Sequence, residues 1–400
     1  MKIAFLTHHD PRHRRSWSGT LFYMLRAMEK HCGEVVSLGP VGQGWSLARK
    51  AARRAARIVF RQNIDDLHTI ALSKAWASLF ERRLARVGSD IVFAPVASTE
   101  IAFLRTELPV VYFSDLTARL YRDYFAGLTG LSSWSIEQTE ALEWRALHRA
   151  DHIVYSSAWA ARSAIQDYDV PTEKVSVFPL GANLDEVPTG DEIAAARNRR
   201  QEGECRLLFI GVDWERKGGD LALEAMRELR ALGINATLTV VGCSPPEGIS
   251  DPNVRIIPVL DKGTPEGRQQ FHRLFLDSHF MLFPTRRDAS PIVCCEASAF
   301  GLPSIVPDVG GLPVWHGQNG LKLPANAPAA EYANAVQSLW NDPAAYRELA
   351  GSARRVYDDR VNWDAWGRSM ADVFNAVSQA RRSVRRMQKA GRPARAADRG

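Results

Sequence analysis

The fold class follows from residues 283–303, which read FPTRRDASPIVCCEASAFGLP. A buried strand is predicted to end at Phe283. After a short polar loop, a helix is predicted to begin at Pro291, a residue suited to the first helical position. Strand, loop and helix in this order are typical of a parallel α/β sheet. The N–H groups of Ser290 and Ile292 at the helix start would then form an anion-binding site.

Short apolar runs alternate with amphipathic helical stretches along most of the chain. Strands are predicted at residues 2–7, 34–38, 91–95, 109–113 and 152–155, and in a second series at 206–210, 236–241, 254–257, 279–283 and 304–306. Helices are predicted at 20–31, 218–232, 265–276, 291–300, 329–340 and 343–378. The pattern predicts two Rossmann-like, doubly wound parallel-sheet domains of the α/β class. We expect them to face a central cleft that holds the ligand.

A chain of 400 residues is expected to form two domains. Residues 1–185 are predicted to be the first domain and residues 203–365 the second. Residues 186–202, rich in charge, Pro and Gly, are predicted to be the linker. A C-terminal helix at residues 366–380 could cross back to the first domain, and residues 381–400 are predicted to be a basic disordered tail because they lack apolar periodicity.

The net positive charge of the chain comes from its C-terminal segment. The chain has a formal net charge of +6, but residues 381–400 hold eight Lys or Arg and one Asp, so the other 380 residues have a net charge of −1. Residues 41–64 hold six Lys or Arg and no acid, which fits either an amphipathic helix on an anionic membrane or a solvated helix over the first sheet. The tail could likewise meet anionic lipid. Nucleic acid is not expected as a partner, because no zinc finger, RNP motif or helix-turn-helix pattern occurs.

The cysteines and the N-terminus favour a cytoplasmic protein, which could lie at the inner membrane face. Five cysteines without a C-x-x-C motif indicate neither a disulfide framework nor a zinc site. The vicinal pair Cys294-Cys295 is interpreted as two helix positions, one packed and one not. Residues 2–7 are interpreted as a strand and not as a signal peptide, and no apolar run approaches the ~18 residues that span a bilayer.

Two carboxylates flank the predicted helix start. Asp288 lies in the loop, and Glu296 lies about one and a half turns into the helix. A carboxylate at that point can accept two hydrogen bonds from a vicinal diol. The alternative is that Glu296 caps the helix or forms a local salt bridge.

These residues resemble a known signature. Asp288-x7-Glu296 resembles the Glu-x7-Glu motif of the retaining glycosyltransferases of family 4 (glycosyl transferases group 1), which have the GT-B fold, and residues 296–303 resemble the family's E-A-x-A-x-G-x-P run. Further matches, in the family's order, are Phe178–Asp185, Ile210-Gly211, Arg216-Lys217-Gly218, Val240–Gly242, Val309–Gly311 and Gly317–Gly320. The resemblance covers about residues 175–325 and is looser in residues 1–170, which the family uses for acceptors.

The resemblance implies transfer of a sugar from a nucleoside-diphosphate sugar with retained anomeric configuration. Lys217, helped by Arg216, would bind the diphosphate, because cations stabilise the charge of the leaving group. The alternative for this pair is two solvated cations at a helix start. Glu296 would bind the ribose hydroxyls, and Asp288 would contact the donor sugar. The resemblance implies no metal, and no cofactor is expected beyond the nucleotide-sugar co-substrate.

In the first domain the family's glycine loop corresponds to residues 8–20, where Gly19 resembles its second glycine. Many relatives have a His after the fourth strand, where this chain has Ser114 followed by Asp115. Asp115 could therefore take over a sugar or acceptor contact.

Two further departures concern the donor side. Asp288 stands where the family usually has Glu, which shortens the side chain by one methylene. The Arg that usually follows the strand glycine is absent, because Val212 follows Gly211, and Arg216 could replace it.

The sequence therefore predicts a retaining, metal-independent glycosyltransferase of the hexosyltransferase type, as in polysaccharide biosynthesis. Its catalytic residues would be Asp288, Lys217 and Asp115. The partners would be a nucleotide-sugar donor and a glycan, lipid-linked or small-molecule acceptor. The alternatives are a nucleotide-sugar epimerase and a catalytically silent sugar-nucleotide-binding protein on the same fold. The combination of Lys217-Gly218 with Asp288-x7-Glu296 argues against the epimerase.

Overall fold

The computed structural model describes residues 1–41, 54, 63–199 and 203–390. The chain divides into two compact units. The first comprises Met1–Tyr155, Ala160–Val177 and the chain from Gly367, and the second comprises Ser156–Trp159 and Phe178–Trp366.

The first unit contains a six-stranded parallel sheet. Its strands are β1 (Lys2–Phe5), β2 (Glu34–Ser37), β3 (Ile91–Pro95), β4 (Val110–Ser114), β5 (His152–Tyr155) and β6 (Val175–Val177). They lie in the order β2-β1-β3-β4-β5-β6, so the strand order reverses between β1 and β3. Every residue of β3 and β4 is buried, as expected for strands that helices cover on both faces.

The helices described in this unit connect or cover the strands. They are α1 (Thr20–His31), α2 (Ile70–Val87), α3 (Ser98–Ile101), α4 (Ala118–Thr129), α5 (Ser133–Arg149) and α6 (Ala158–Asp167), the last beginning in the segment assigned to the second unit. Side chains cap three of them. Thr69 accepts the N–H of Leu72, Thr117 that of Leu120 and Ser132 that of Ser135.

The second unit contains another six-stranded parallel sheet. Its strands are β7 (Cys205–Ile210), β8 (Ala236–Val241), β9 (Val254–Ile257), β10 (Phe280–Leu282), β11 (Ser304–Pro307) and β12 (Gly320–Leu323). Its helices are α7 (Gly190–Arg199), α8 (Gly219–Ala231), α9 (Pro265–Asp277), α10 (Ile292–Ala299), α11 (Ala329–Trp340) and α12 (Pro343–Asp359). The strand order is β12-β11-β10-β7-β8-β9, which reverses between β7 and β10.

The second sheet separates two apolar cores. Leu207 and Phe209 of β7 belong to one cluster, which includes residues of α8 and α11. Leu208, between them, belongs to the other cluster, which includes residues of α9 and α10. Successive side chains of a strand point to opposite faces, so one apolar run supplies both cores. This explains why the buried strands are continuous runs of apolar residues in the sequence.

Most predicted strands and helices correspond to observed ones within two residues at each end. The prediction omitted two short strands, β6 and β12, and β12 begins at Gly320, the last residue of the motif match Gly317–Gly320. Both strands lie at a sheet edge and are at most four residues long, so they carry little apolar pattern.

The predicted linker, residues 186–202, lies within the second unit, which takes up the chain again at Phe178. It contains helix α7, whose Ile193 and Ala196 are buried although most of its other described residues are polar. The backbone oxygen of Glu186 accepts a hydrogen bond from the ring of His272 in α9, at 2.8 Å. The described part of the segment, residues 186–199, is therefore packed structure of the second unit and not an interdomain linker.

The predicted helix at 343–378 is two helices, α12 and α13 (Trp363–Ala390). Asn362 marks the interruption, since its Oδ1 accepts the N–H of Ala365 at 2.7 Å. The prediction of disorder from residue 381 is wrong for residues 381–390, because the good helix formers Arg and Lys continue α13. Residues 391–400 lie outside the described residues.

Two other sequence interpretations concern the basic segment 41–64 and the vicinal cysteines. Nearly all of residues 41–64, the predicted basic helix, lie outside the described residues. Cys294 and Cys295 are both buried, so the interpretation that one of them is unpacked is wrong. Helix α10 lies between the sheet and α12, so the side chains at its centre do not face solvent.

None of the helices described is long and apolar enough to cross a membrane.

Candidate active site

Two loops of the second unit flank the point at which its strand order reverses. Residues 211–218 follow β7, and residues 283–291 follow β10, the neighbouring strand on the other side of the reversal. In open parallel sheets, ligands bind at the carboxyl ends of the strands at this point. Topology therefore brings the two predicted motif segments to the expected ligand position of this sheet.

Lys217 and Asp288 meet between these loops. The Lys217 Nζ contacts Asp288 Oδ2, and the two side chains are only 12% and 15% exposed. The ammonium also lies 5.0 Å from the centroid of the Phe283 ring. A buried charge needs a partner, and each of these residues supplies one for the other. The pair therefore places a cation of the loop after β7 against a carboxylate of the loop after β10.

Backbone hydrogen bonds hold the two loops together. The Arg286 N–H donates to the Arg216 carbonyl at 2.9 Å. The Arg216 guanidinium donates to the Arg287 carbonyl at 3.1 Å. The buried Thr285 hydroxyl lies within hydrogen-bond distance of both carbonyls, at 3.3 and 3.2 Å. These contacts fix the register of the Lys217 loop against the Asp288 loop.

The guanidinium of Arg216, the predicted second phosphate ligand, forms an ion pair within its own loop. Its Nε lies 3.3 Å from Asp213 Oδ2, and its backbone N–H donates to Asp213 Oδ1 at 3.0 Å. Arg216 is thus positioned by Asp213 and by the Asp288 loop. Of the two adjacent cations, Lys217 is the one that contacts the candidate sugar-binding carboxylate.

Gly218 allows the close approach of the loops. Its φ is +75°, and a Cβ at this position would lie 2.1 Å from the carbonyl oxygen of Pro284. Helix α8 begins at the next residue, Gly219. Only glycine combines this φ with this contact at no steric cost. Gly211, the predicted strand glycine, lies beside the Lys217 side chain, whose Cγ would be 2.9 Å from an added Cβ.

Glu296 is 4% exposed and forms an ion pair with Lys262, a partner that the sequence did not indicate. Its Oε1 accepts a hydrogen bond from Lys262 Nζ at 2.7 Å. Lys262 lies in the loop after β9, and its ammonium is 4.5 Å from the ring centroid of Phe271. The predicted alternative was a helix cap or a local salt bridge, whereas the observed partner lies 34 positions away in the chain. A carboxylate has about four acceptor sites, so this bond leaves capacity for the hydroxyls of a diol.

Helix α10 begins at Ile292 and not at Pro291. The ψ of Pro291 is 112°, which is extended, so this residue is the N-cap and the first helical N–H groups are those of Ile292 and Val293. Proline fixes φ alone, so the sequence cannot distinguish these two adjacent positions. The hydroxyl of Ser290 lies 2.6 Å from that of Ser156.

The two remaining predicted residues, Gly19 and Asp115, belong to the first unit. Gly19, with φ +87°, ends the 3₁₀ turn Ser16–Gly19 and precedes α1. Trp17 and Ser18 also have positive φ, at 46° and 55°. Asp115 follows β4 and lines a cavity of about 880 Å³. The other eight predicted site residues thus lie in the second unit, whereas Gly19 and Asp115 lie in the first.

Among the described residues, no group of three His, Cys, Asp or Glu side chains could hold a metal ion. Charged groups near the reversal point of the second sheet include Lys217, Arg216 and Lys262 and the carboxylates of Asp288 and Glu296. Such a set provides fixed cations for an anionic ligand and acceptors for hydroxyl groups.

Comparison with known proteins gives a family match within the second unit. Residues 204–342, which contain the two loops, match the family glycosyl transferases group 1. The chain carries a group 1 glycosyltransferase domain. The chain is 31% identical over 253 residues to the D-inositol 3-phosphate glycosyltransferase of Streptomyces avermitilis, across 59% of this chain and 54% of that protein. It is 28% identical over 259 residues to the protein of the same name from Streptomyces scabiei, across 61% of this chain and 58% of that one. The chain thus spans a little over half the length of these curated relatives.

Solved structures of glycosyltransferases share the fold of this chain. Sucrose-phosphate synthase from Thermosynechococcus elongatus superposes with a TM-score of 0.63 at 18% identity, covering 95% of this chain and 99% of that one. HepE of Anabaena, solved in complex with UDP-glucose, gives 0.62 at 15% identity, covering 94% and 100%. The lipopolysaccharide glycosyltransferase WaaG gives 0.58 at 18% identity, covering 93% and 99%. The chain has the two-domain α/β fold called GT-B, as predicted.

Proposed function

We propose that this protein is a retaining, metal-independent glycosyltransferase that moves a sugar from a nucleoside-diphosphate sugar to a hydroxyl-bearing acceptor. The observation that carries the proposal is the contact between Lys217 and Asp288 at the strand-order reversal of the second sheet. The group 1 match over residues 204–342 and the names of the curated relatives support the reaction class. The complex of HepE with UDP-glucose, a structural neighbour, supports a nucleotide-sugar donor.

Lys217 would act on the leaving group. When the bond between the anomeric carbon and the β-phosphate oxygen breaks, the electron pair stays on the nucleoside diphosphate. A fixed ammonium beside that oxygen stabilises the developing charge and needs no reorganisation during the step. Arg216, held by Asp213, adds a second cation to the same loop. In this proposal the reaction needs no metal ion, because Lys217 and Arg216 supply the positive charge that a metal ion would otherwise provide.

Asp288 would orient the donor sugar. Its carboxylate is held by Lys217 and can accept hydrogen bonds from sugar hydroxyls with its remaining lone pairs. The acceptor hydroxyl attacks the anomeric carbon on the face from which the diphosphate departs, and its proton passes to the departing phosphate oxygen. Atoms and charge balance without a further base, and the configuration is retained.

Glu296 would bind the ribose of the donor. The carboxylate is buried and its orientation is fixed by Lys262 at 2.7 Å, so it can accept hydrogen bonds from two neighbouring hydroxyls. The N–H groups at the start of α10, preceded by Ser290 and Pro291, provide donors for a phosphate oxygen, and Gly211 and Gly218 keep the opposite loop free of bulk.

A panel of nucleotide sugars tests the proposal. The protein is incubated with each donor, with and without acceptors, in the presence of EDTA. We expect release of nucleoside diphosphate from one donor and a product whose anomeric configuration, read from NMR coupling, equals that of the donor. Inversion, or loss of activity in EDTA that added metal restores, would contradict the proposal. An epimerised donor would favour the epimerase, and binding without turnover would favour the silent binding protein.

A further inference from the structure

A histidine–glutamate pair lies at the carboxyl-end side of the first sheet, where the strand order reverses. His8 follows β1, and Glu100 lies in α3, which follows β3; these two strands are neighbours on either side of the reversal. Ligands of open parallel sheets bind at this point. Lys217, Asp288 and Glu296 all belong to the second unit, so the donor contacts proposed for them leave this pair without a role.

Two donors of His8 converge on one oxygen of Glu100. The ring Nδ1 lies 2.6 Å from Glu100 Oε1, and the backbone N–H of His8 donates to the same oxygen at 3.0 Å. Glu100 is only 1% exposed. An oxygen that accepts the backbone N–H is also the acceptor for the ring, so Nδ1 carries a proton. In the neutral ring the lone pair is therefore on Nε2.

Aromatic neighbours fix the plane of the His8 ring. It stacks on the buried Trp76 of α2, with the ring centroids 4.8 Å apart and an angle of 22° between the planes. The ring centroid of His9 lies 3.9 Å from that of His8. Burial lowers the pKa of His9 to about 4, with a smaller contribution from His8, so His9 adds no charge beside the pair at neutral pH.

The turn between β3 and Glu100 is strained. Val96 has a φ of +44°, which β-branched residues rarely adopt, and its N–H donates to the Phe113 carbonyl of β4 at 2.7 Å. Such a conformation persists only where the surrounding structure imposes it, and it is commonly found at functional sites. The position of Glu100 is thus imposed by the sheet.

The outer nitrogen of His8 is the part of the pair that can reach a ligand. The side chain is 22% exposed, and no described residue forms a hydrogen bond with its Nε2. The ion pair and the stack account for Nδ1 and for the ring plane, but a purely structural role leaves this oriented lone pair unused. A lone pair fixed at the ligand position of a sheet can accept a hydrogen bond from a hydroxyl group.

We infer that His8 is an acceptor-binding residue whose Nε2 accepts a hydrogen bond from a hydroxyl group of the acceptor, and that Glu100 is the positioning residue that fixes the tautomer of the ring. The inference rests on the proposed transferase function for the identification of the ligand as the acceptor. In the proposed reaction the proton of the attacking hydroxyl passes to the departing phosphate oxygen, so His8 is assigned to binding and not to proton transfer.

NMR of the full-length protein without any donor tests the pair directly. Long-range proton–nitrogen spectra should show the neutral His8 ring protonated at Nδ1. Titration with the uncharged sugars glucose, galactose and mannose should shift the Nε2 resonance with at least one of them. Protonation at Nε2 in the neutral ring, or an Nε2 resonance that none of the three sugars moves, overturns the inference.

Two substitutions separate the two ring nitrogens. His8→Asn places an amide near Nδ1 and nothing near Nε2, so the Kd of the bound sugar should rise about fivefold, as the loss of one hydrogen bond provides. His8→Gln, whose amide reaches further, should raise it less. His148→Asn is the matched control, since His148 stacks on Trp144 at 4.0 Å and 21° but lies just before β5, at the amino end of the sheet. Equal Kd values for wild type and His8→Asn overturn the inference.

Glu100→Gln tests the positioning role, also if His8→Asn fails to fold. Its amide can donate as well as accept, so the ring should populate the other tautomer in the NMR spectra and sugar binding should weaken. Glu137→Gln, at an exposed glutamate of α5, should change neither. A tautomer and a Kd that stay as in wild type in Glu100→Gln overturn the positioning role.

Transfer assays separate this inference from the proposed function. The NMR measurements need no donor, so a protein that transfers nothing can still show sugar binding at Nε2. Conversely, an active transferase whose acceptor KM is the same in wild type and His8→Asn would keep the proposed function and overturn the inference.

Discussion

The Lys217 ammonium contacts the Asp288 carboxylate although 71 positions separate the two residues in the chain. The contact exists because β7 and β10 are neighbours in the second sheet, so that the loops at their carboxyl ends meet. Hydrogen bonds between Arg216 and the Asp288 loop hold this geometry independently of the ion pair. The loops should therefore keep their places when either charge is removed, which makes the pair testable by substitution.

Lys217→Ala is expected to reduce kcat by roughly 100-fold or more, because a preorganised charge at the leaving group is lost. The donor KM should change less. Lys322→Ala is the matched control, since Lys322 also forms an ion pair with an aspartate, Asp308 at 2.8 Å, but lies away from both loops in sequence. Steady-state kinetics with the donor identified in the panel provide the measurement. A Lys217→Ala enzyme as active as the control would remove this residue from the site.

A double-mutant cycle tests whether Lys217 and Asp288 act as one unit. Asp288→Asn should reduce kcat on its own, and the double variant should be far less impaired than the product of the two single effects, because contacting residues couple. Asp308→Asn with Lys322→Ala forms the control cycle. Simple multiplication of the effects of Lys217→Ala and Asp288→Asn on kcat would show that the contact has no catalytic role.

The sequence predicted the sheets well because buried parallel strands leave continuous apolar runs, such as 236–241, which is β8. The ordered motifs also predicted one site for Lys217, Asp288 and Glu296, and the structure brings Lys217 into contact with Asp288. The sequence did not predict Lys262, because a lone lysine after an edge strand has no local pattern, and its contact with Glu296 depends on where the loop after β9 folds.

The cavity of the first unit was missed for a related reason. Its carboxylates come from three separate segments around residues 65, 115 and 143, and each segment alone is an ordinary polar stretch. Only the packing of α5 beside β4 and the segment 63–68 brings them together. Asp115 was selected by its place after β4, but nothing in the sequence indicated that Glu143 would be buried in the cavity wall.

Lys262→Ala should affect the donor more than the chemistry. Without the ammonium, Glu296 keeps its burial but loses the hydrogen bond that orients it, so the KM for the donor should rise several-fold while kcat changes little. Glu296→Gln should raise the same KM further, since its amide accepts fewer hydrogen bonds. A drop in kcat at unchanged KM for Lys262→Ala would show that Lys262 acts on the transition state and not through Glu296.

The stability of the protein should depend on the protonation of Glu143. Its pKa is raised from 4.5 to about 7 in the folded protein, so the folded state binds its proton more tightly than the unfolded state does. Stability from this group is present below pH 4.5 and is lost as the pH rises toward 7, with a total on the order of 3 kcal/mol. Glu143→Gln has no such titration. The Tm difference between Glu143→Gln and wild type should therefore grow in favour of the variant from pH 5 to pH 8, while Glu137→Gln follows wild type throughout.

A comparison of Gly218→Ala with Gly233→Ala separates the effect of the loop contact at Gly218 from the effect of a positive φ. Both have positive φ, at 75° and 84°, so an alanine at either position carries the same conformational cost, about 1 kcal/mol. An added Cβ at Gly233 meets nothing within 4 Å, whereas at Gly218 it would lie 2.1 Å from the Pro284 carbonyl. Gly218→Ala must therefore push the Lys217 loop away from the Asp288 loop. We expect it to lower both the free energy of unfolding and kcat well below the values of Gly233→Ala, measured by urea unfolding and by donor turnover. Equal losses in the two variants would mean that the close approach of the loops contributes nothing beyond the strain of a positive φ.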